Sequence, residues 1–223
     1  MKKRGVLITL EGNEGCGKST QVRLLYQALK KKGHKVFLTR EPGGTLIGDC
    51  LRRVLLDVKN RRMTPVCETL LYMASRAQLV QEVVKPKLEQ GTIVLCDRWM
   101  DATVAYQGYA GGVDVRWIEE LGKTVTQSIK PRLTLYLDLP VSVGLARAKK
   151  RHRADRMEEK TRRFHQKVRH KDLYRFLCCL YQEYSDHLHL LREKTSEDEN
   201  RVLLVLCHHL LSSGQQRGLL YRV

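Results

Sequence analysis

An α/β fold built on a doubly wound parallel sheet is what this sequence of 223 residues predicts, and three observations carry that prediction. Apolar, β-branched runs alternate along the chain with segments of helical spacing. A glycine-rich loop stands between the first such run and the first helical segment. No internal repeat or low-complexity linker divides the chain, whose length suits one domain with a substantial core. We read that domain over residues 1–211, with a basic lid at about 147–160 and a short tail over 212–223.

The loop is Gly12-Asn13-Glu14-Gly15-Cys16-Gly17-Lys18-Ser19, with Thr20 behind it. It meets every position of the G-x-x-x-x-G-K-[ST] phosphate-binding pattern. Ahead of it Val6-Leu7-Ile8-Thr9-Leu10 reads as a buried strand, and after it Val22, Leu24, Leu25, Ala28 and Leu29 recur at helical spacing. In that setting the glycines let backbone N–H groups converge on phosphate oxygens, and the helix N-terminus adds its positive end. Lys18 is then placed to reach the β- and γ-phosphates, and the Ser19 hydroxyl to ligate Mg²⁺.

The remaining elements follow in order. Lys30-Lys31-Lys32-Gly33 closes the first helix with cations and a glycine stop. Val36-Phe37-Leu38-Thr39 is a strand, and Arg40 and Glu41 stand at its carboxyl end before a Pro-Gly-Gly turn, where open α/β sheets bind ligands. A guanidinium there suits phosphate, although Arg40 also fits a solvated surface charge. Helices are expected over 48–58 and 64–90, separated by Lys59-Asn60-Arg61-Arg62. Tyr72 and Arg76, four apart on the second, stand one turn above the other. A ring beside a guanidinium suits a flat base with carbonyl edges, and the same spacing fits plain packing plus a surface charge.

Thr92-Ile93-Val94-Leu95-Cys96-Asp97 is a further strand, ending in an acid of the Walker B form that is able to hold Mg²⁺ through water. Arg98 follows at once, and residues 105–112 are polar, aromatic and rich in glycine. A helix over 115–128, a strand over 133–138 and a helix from 141 to about 150 come next. Beyond them we expect a helix over 173–184, a strand over 187–191, and a final helix through about 211 opened by the capping box Ser196-Glu197-Asp198-Glu199.

A formal net charge of +17 implies anionic partners. The run from 147 to 163 concentrates cations that fit a solvated helix face, a lid closing over transferring phosphate, or a nucleic-acid patch. Its heart lacks the aromatic residues that stack single-stranded bases, which weighs against the last. Seven cysteines, an odd number with no C-x-x-C, indicate a reduced compartment. Lys2-Lys3-Arg4 precedes an apolar run broken at Glu11, too soon for a signal peptide, and no stretch has the length of a membrane span. A soluble, cytoplasmic protein is the expectation.

In the loop, Thr39-Arg40-Glu41-Pro42-Gly43-Gly44-Thr45, Asp97-Arg98 and Ala105-Tyr106-Gln107-Gly108 taken together, the chain resembles the thymidylate kinases, in order and spacing from about Val6 to Tyr174. The resemblance implies a three-layer αβα P-loop NTPase fold with a helical lid. It implies transfer of the γ-phosphoryl group of ATP to dTMP with Mg²⁺, and usually a homodimer. It assigns Gly12 through Thr20, with Arg147, to ATP, and Ser19 and Asp97 to the metal. Glu14 then contacts the sugar 3′-hydroxyl, while Arg40 and Arg98 hold the acceptor 5′-phosphate. Tyr72 stacks on thymine, Arg76 reaches a thymine carbonyl, Thr103 and Gln107 line the same pocket, and the Tyr106 ring leaves no room for a 2′-hydroxyl. Where some members carry an arginine inside the loop this chain has Gly15, so the charge is expected from the lid cluster Arg147, Arg151, Arg153 and Arg156, with Arg151 and Arg153 at the transferring phosphoryl. Departures at Cys16, Leu79, Trp99, Ala102 and Gly111 remove no phosphate or metal ligand. The alternatives are a kinase for another pyrimidine monophosphate such as dUMP, a nucleic-acid-stimulated NTPase, and a nucleotide-binding module without activity. No membrane partner is expected, and a nucleic-acid partner is admitted by the basic surface without being expected.

Overall fold

A computed structural model describes residues 4–150 and 154–171, and the backbone of 203–208 and 221–222. Strands β1 (Leu7–Glu11), β2 (Val36–Arg40), β3 (Ile93–Asp97) and β4 (Leu133–Asp138) pair in parallel in the order β2-β3-β1-β4. Alternation along each strand sends side chains to both faces, which is why these strands read as continuous apolar runs. On β3, Val94 and Cys96 join Leu7, Leu79, Val84 and Leu88 in one core cluster. Ile93 and Leu95 join Leu10, Val22, Leu25 and Leu29 in the other.

Helix α1 (Lys18–Lys31) begins straight from the loop, with Gly17 at φ 99° as its N-cap residue. The next helices carry conventional caps. Thr45 accepts from the Gly48 N–H at the start of α2 (Leu46–Leu56), and Thr64 from the Cys67 N–H at the start of α3 (Pro65–Leu79), with Pro65 in the first turn. A π turn at Val80–Val84 leads into α4 (Lys85–Glu89), so the helix expected over 64–90 is one rod with a widened turn ahead of Pro86, which has no N–H to give.

The aromatic, glycine-bearing stretch after β3 is helical as well: α5 (Met100–Thr103) runs into a second π segment, Val104–Ala110. Then come α6 (Val115–Val125), capped by Asp114, and α7 (Val141–Lys149) after β4. Beyond the turns at 154–160, residues 162–171 are helical.

One expectation is corrected at the C-terminal end. The final helix through 211 is not formed at 203–208, which instead make the strand β5 (Leu203–His208), antiparallel to β4. A short, continuously apolar run has no periodicity to separate helix from strand, and the open edge of β4 offers ladder partners to this one. The two-residue β6 (Tyr221–Arg222) pairs with β5, inside the segment read as a tail. The helix expected over 173–184 and the strand over 187–191 lie outside the described residues.

Candidate active site

The sheet order places β3 beside β1, with Leu10 in register with Asp97. The loop leaving β1 and the acid ending β3 therefore meet at the carboxyl edge, where the connections diverge. A cavity of about 910 Å³ opens there. It is bordered by Glu14, Gly15, Gly17, Lys18, Ser19, Arg40, Tyr72, Arg76, Asp97, Arg98, Thr103, Tyr106 and Gln107. The loop, the three arginines and the pocket side chains singled out in the sequence thus share one space.

Within the loop, the Lys18 ammonium donates to the carbonyls of Gly12 (2.8 Å) and Asn13 (2.7 Å). Asn13 is buried and donates from Nδ2 to the Leu139 carbonyl, while Cys16 is buried under the loop. At Gly15, φ is +68° and a Cβ would lie 2.0 Å from the carbonyl oxygen of Gly144 on α7. A side chain is excluded at that position by the close packing of α7, which accounts for the glycine. Ser19 donates from Oγ to Asp97 Oδ2 at 2.7 Å. A hydroxyl and one carboxylate this close, opening on the phosphate loop, suit a hard cation that keeps waters and phosphate oxygens as its other ligands. Among the described residues no group of three or more His, Cys, Asp or Glu forms a metal site without such help.

Arg98 adopts φ 77°, a conformation uncommon outside glycine, and it turns the side chain back toward the loop. Its Nη2 donates to Glu14 Oε1 (2.8 Å) and the Tyr106 hydroxyl (3.1 Å), and its Nη1 to the Gly12 carbonyl (3.2 Å). Tyr106 in turn donates to Glu14 Oε1 at 2.8 Å. Burial would raise the Glu14 pKa, but Arg98 and then Lys18, the Tyr106 hydroxyl and His165 outweigh it and bring it from 4.5 down to about 2. The same carboxylate, against the burial that opposes charge on the guanidinium, holds Arg98 firmly protonated.

A depressed carboxyl stabilises the fold above its ordinary value and loses that contribution as pH falls through its folded value. For Glu14 the window runs from about pH 4.5 to about pH 2. The difference corresponds to roughly 3 kcal/mol at most. Urea titrations at pH 5 and pH 2.5 will show the parent losing stability across this interval by more than Glu14→Gln does. Equal losses would refute the assignment.

On α3, Arg76 is 2% exposed. Its Nε donates to Glu41 Oε2 (2.8 Å), and its Nη2 to the Trp99 carbonyl (3.1 Å) and Thr103 Oγ1 (2.9 Å). The pair left open by spacing alone is thus resolved: Tyr72 and Arg76 both border the cavity, and Arg76 is locked instead of being a surface charge. Burial and then Glu68 push the Tyr72 hydroxyl pKa up, so it stays neutral. Arg40 is exposed, with Asp49 at 3.5 Å.

Some placements differ from the sequence reading. Arg156, grouped there with the lid cations, is buried and paired with Glu68, and its Nε donates to the Leu55 carbonyl at 2.6 Å. Arg147 faces a separate shallow concavity on α7, outside the main cavity, and Thr20 lies outside it too. Arg151 and Arg153 lie outside the described residues. Arg52, unmarked by any motif on α2, borders the cavity, and burial followed by the nearby Arg40 charge lowers its pKa. Only its proximity to Arg40 in space identifies it.

A family model described as thymidylate kinase matches residues 10–178. The chain belongs to the thymidylate kinase family. It is 55% identical over 172 residues to the thymidylate kinase of Geotalea daltonii, covering 74% of this chain and 80% of that protein. To the thymidylate kinase of Geobacter sp. (strain M21) it is 51% identical over 185 residues, 80% of this chain and 81% of the other. A crystal structure of thymidylate kinase from Ehrlichia chaffeensis superposes with a TM-score of 0.61 at 31% identity, covering 83% of this chain and 88% of its own. The thymidylate kinase match ends at residue 178, ahead of the C-terminal strands.

Proposed function

We propose that this chain transfers the γ-phosphoryl group of ATP to dTMP, giving dTDP and ADP. The observation that carries the reading is Arg98, whose guanidinium joins the phosphate loop at Gly12 to the Glu14–Tyr106 pair in one cavity. Donor and acceptor phosphates would meet there. Gly12 through Ser19 cradle the ATP phosphates with Lys18, while Thr20 on α1 and Arg147 on α7, both outside the cavity, are assigned to the part of ATP beyond it. Arg98 and Arg40 hold the acceptor phosphate opposite, with Arg52 beside them. Glu14 takes the sugar 3′-hydroxyl, and Tyr106 fills the space of a 2′-hydroxyl. Tyr72, Arg76, Thr103 and Gln107 receive the base. Ser19 and Asp97 would hold Mg²⁺, which when bound would neutralise phosphate charge. The acceptor oxygen is already ionised near neutral pH, so these residues position and stabilise charge without supplying a strong base. Arg151 and Arg153 complete the charge at the transferring group in this reading.

Of the cations in and after the basic run, Arg156 is withdrawn from any polyanion by its burial against Glu68, and Arg169 is paired with Asp138. Self-association is supported by the exposed apolar side chains of Ile47 and Val54 on α2 and of Val66 and Leu70 on α3. A cytoplasmic location is supported by the free cysteines Cys16, Cys50, Cys67 and Cys96. No helix among the described residues is long and apolar enough to cross a membrane.

The test is ADP release from ATP and Mg²⁺ with dTMP, dUMP, UMP, dCMP or nucleic acid added in turn. Turnover dependent on dTMP and weak with UMP is expected. Hydrolysis raised by DNA or RNA and indifferent to dTMP would overturn the reading.

A further inference from the structure

Glu68 lies on α3, one turn before Tyr72, and is 4% exposed. No motif marks it. Its two carboxylate oxygens serve different partners: Oε1 accepts from Gln107 Nε2 at 2.8 Å, and Oε2 is paired with Arg156 Nη1. Arg156 is itself fixed at the end of α2, its Nε on the Leu55 carbonyl (2.6 Å) and its backbone N–H on the Leu56 carbonyl (3.0 Å). Residues 68, 107 and 156 therefore form a chain from the C-terminal part of the basic lid segment, through α3, to the π segment that borders the cavity.

The chemistry of the middle link decides the orientation of the last. An amide carries two donors on nitrogen and an acceptor oxygen, and a carboxylate held by a guanidinium only accepts. The Gln107 amide must turn its NH₂ toward Glu68, which leaves Oε1 as the atom it offers to the cavity that it borders. Without Glu68 the amide could rotate and present N–H groups instead, which would oppose the N–H of a base that needs an acceptor.

We infer that Glu68 is a positioning residue for the acceptor nucleotide: anchored by Arg156, it orients the Gln107 amide so that Oε1 receives the ring N–H of an imide-type pyrimidine base. The inference rests on the dTMP kinase reading above. Glu68 does not touch the nucleotide and acts only through Gln107. A purely structural role would change stability, and would weaken dTMP binding whether or not Gln107 is present.

The experiment is calorimetric titration of dTMP into the full-length parent, Glu68→Gln, Gln107→Ala and the combined variant. Removing one partner of a buried pair is strongly destabilising, whereas replacing both by apolar residues of similar size is often tolerated. Glu68→Met with Arg156→Met is therefore made as well, with and without Gln107→Ala. Loss of one oriented hydrogen bond should weaken dTMP roughly tenfold in Glu68→Gln and in the Met pair. In the Gln107→Ala background the further loss should be about twofold or less, since the amide through which Glu68 acts is gone. Parent-like dTMP affinity in either folded variant, or a full tenfold loss on top of Gln107→Ala, would overturn the inference. A parent that binds no dTMP would overturn the kinase reading instead.

Discussion

Lys18→Ala will lower kcat about a thousandfold while leaving the protein folded, an effect of roughly 4 kcal/mol on the barrier. Lys18 is 7% exposed, and its ammonium is held by the Gly12 and Asn13 carbonyls of the loop. It stands where the β- and γ-phosphates are to be cradled, and no other described lysine borders the cavity. An arginine at the same place would not restore the rate, because a point charge on a flexible stem fits between two carbonyls and a planar fork does not. Steady-state kinetics with dTMP and a thermal melt check this together. A well-folded Lys18→Ala enzyme within tenfold of the parent would remove Lys18 from the machinery.

Arg98→Ala will reduce kcat/KM for dTMP by about a thousandfold and change the KM for ATP only a fewfold. Three groups converge on this guanidinium: Glu14, the Tyr106 hydroxyl and the Gly12 carbonyl. Its loss removes the acceptor-phosphate cation and the chief positive neighbour of Glu14. The Glu14 carboxyl should then titrate above its present value of about 2, since burial, which raises it, would face less opposition. Arg98→Lys should recover part of the charge effect without the forked contact to two partners. Unaltered dTMP kinetics in Arg98→Ala would contradict the assignment, and an equal loss toward ATP would move Arg98 to the donor side.

Local patterns expose the parts of the site that depend on neighbours in the chain. The strand-loop-helix at residues 7–31 is legible because its glycines, Lys18 and Ser19 must sit at fixed offsets to wrap a phosphate. Asp97 and Arg98 are legible because a buried strand has to end where its apolar run ends. The Tyr72–Arg76 spacing puts both side chains on one helix face, yet spacing cannot say what that face meets. Glu41, Thr103 and the Trp99 carbonyl answer that question, and they come from two other segments. Arg52 and Glu68 read as ordinary helix residues for the same reason. The mistaken helix near the C-terminus has a related cause, since an apolar run becomes a strand or a helix according to what it packs against.

By itself, the sequence determined the alternation of strands and helices, the phosphate loop and the acid at the end of β3, because these are set by periodicity and by spacing within a dozen residues. Only the tertiary structure decided which cations border the cavity. Arg98 and Arg40 border the cavity, while Arg156, indistinguishable from a lid cation in the chain, is drawn inward to a carboxylate 88 residues away. Such pairs form where folding brings opposite charges out of water together, and their partners are chosen by proximity in space.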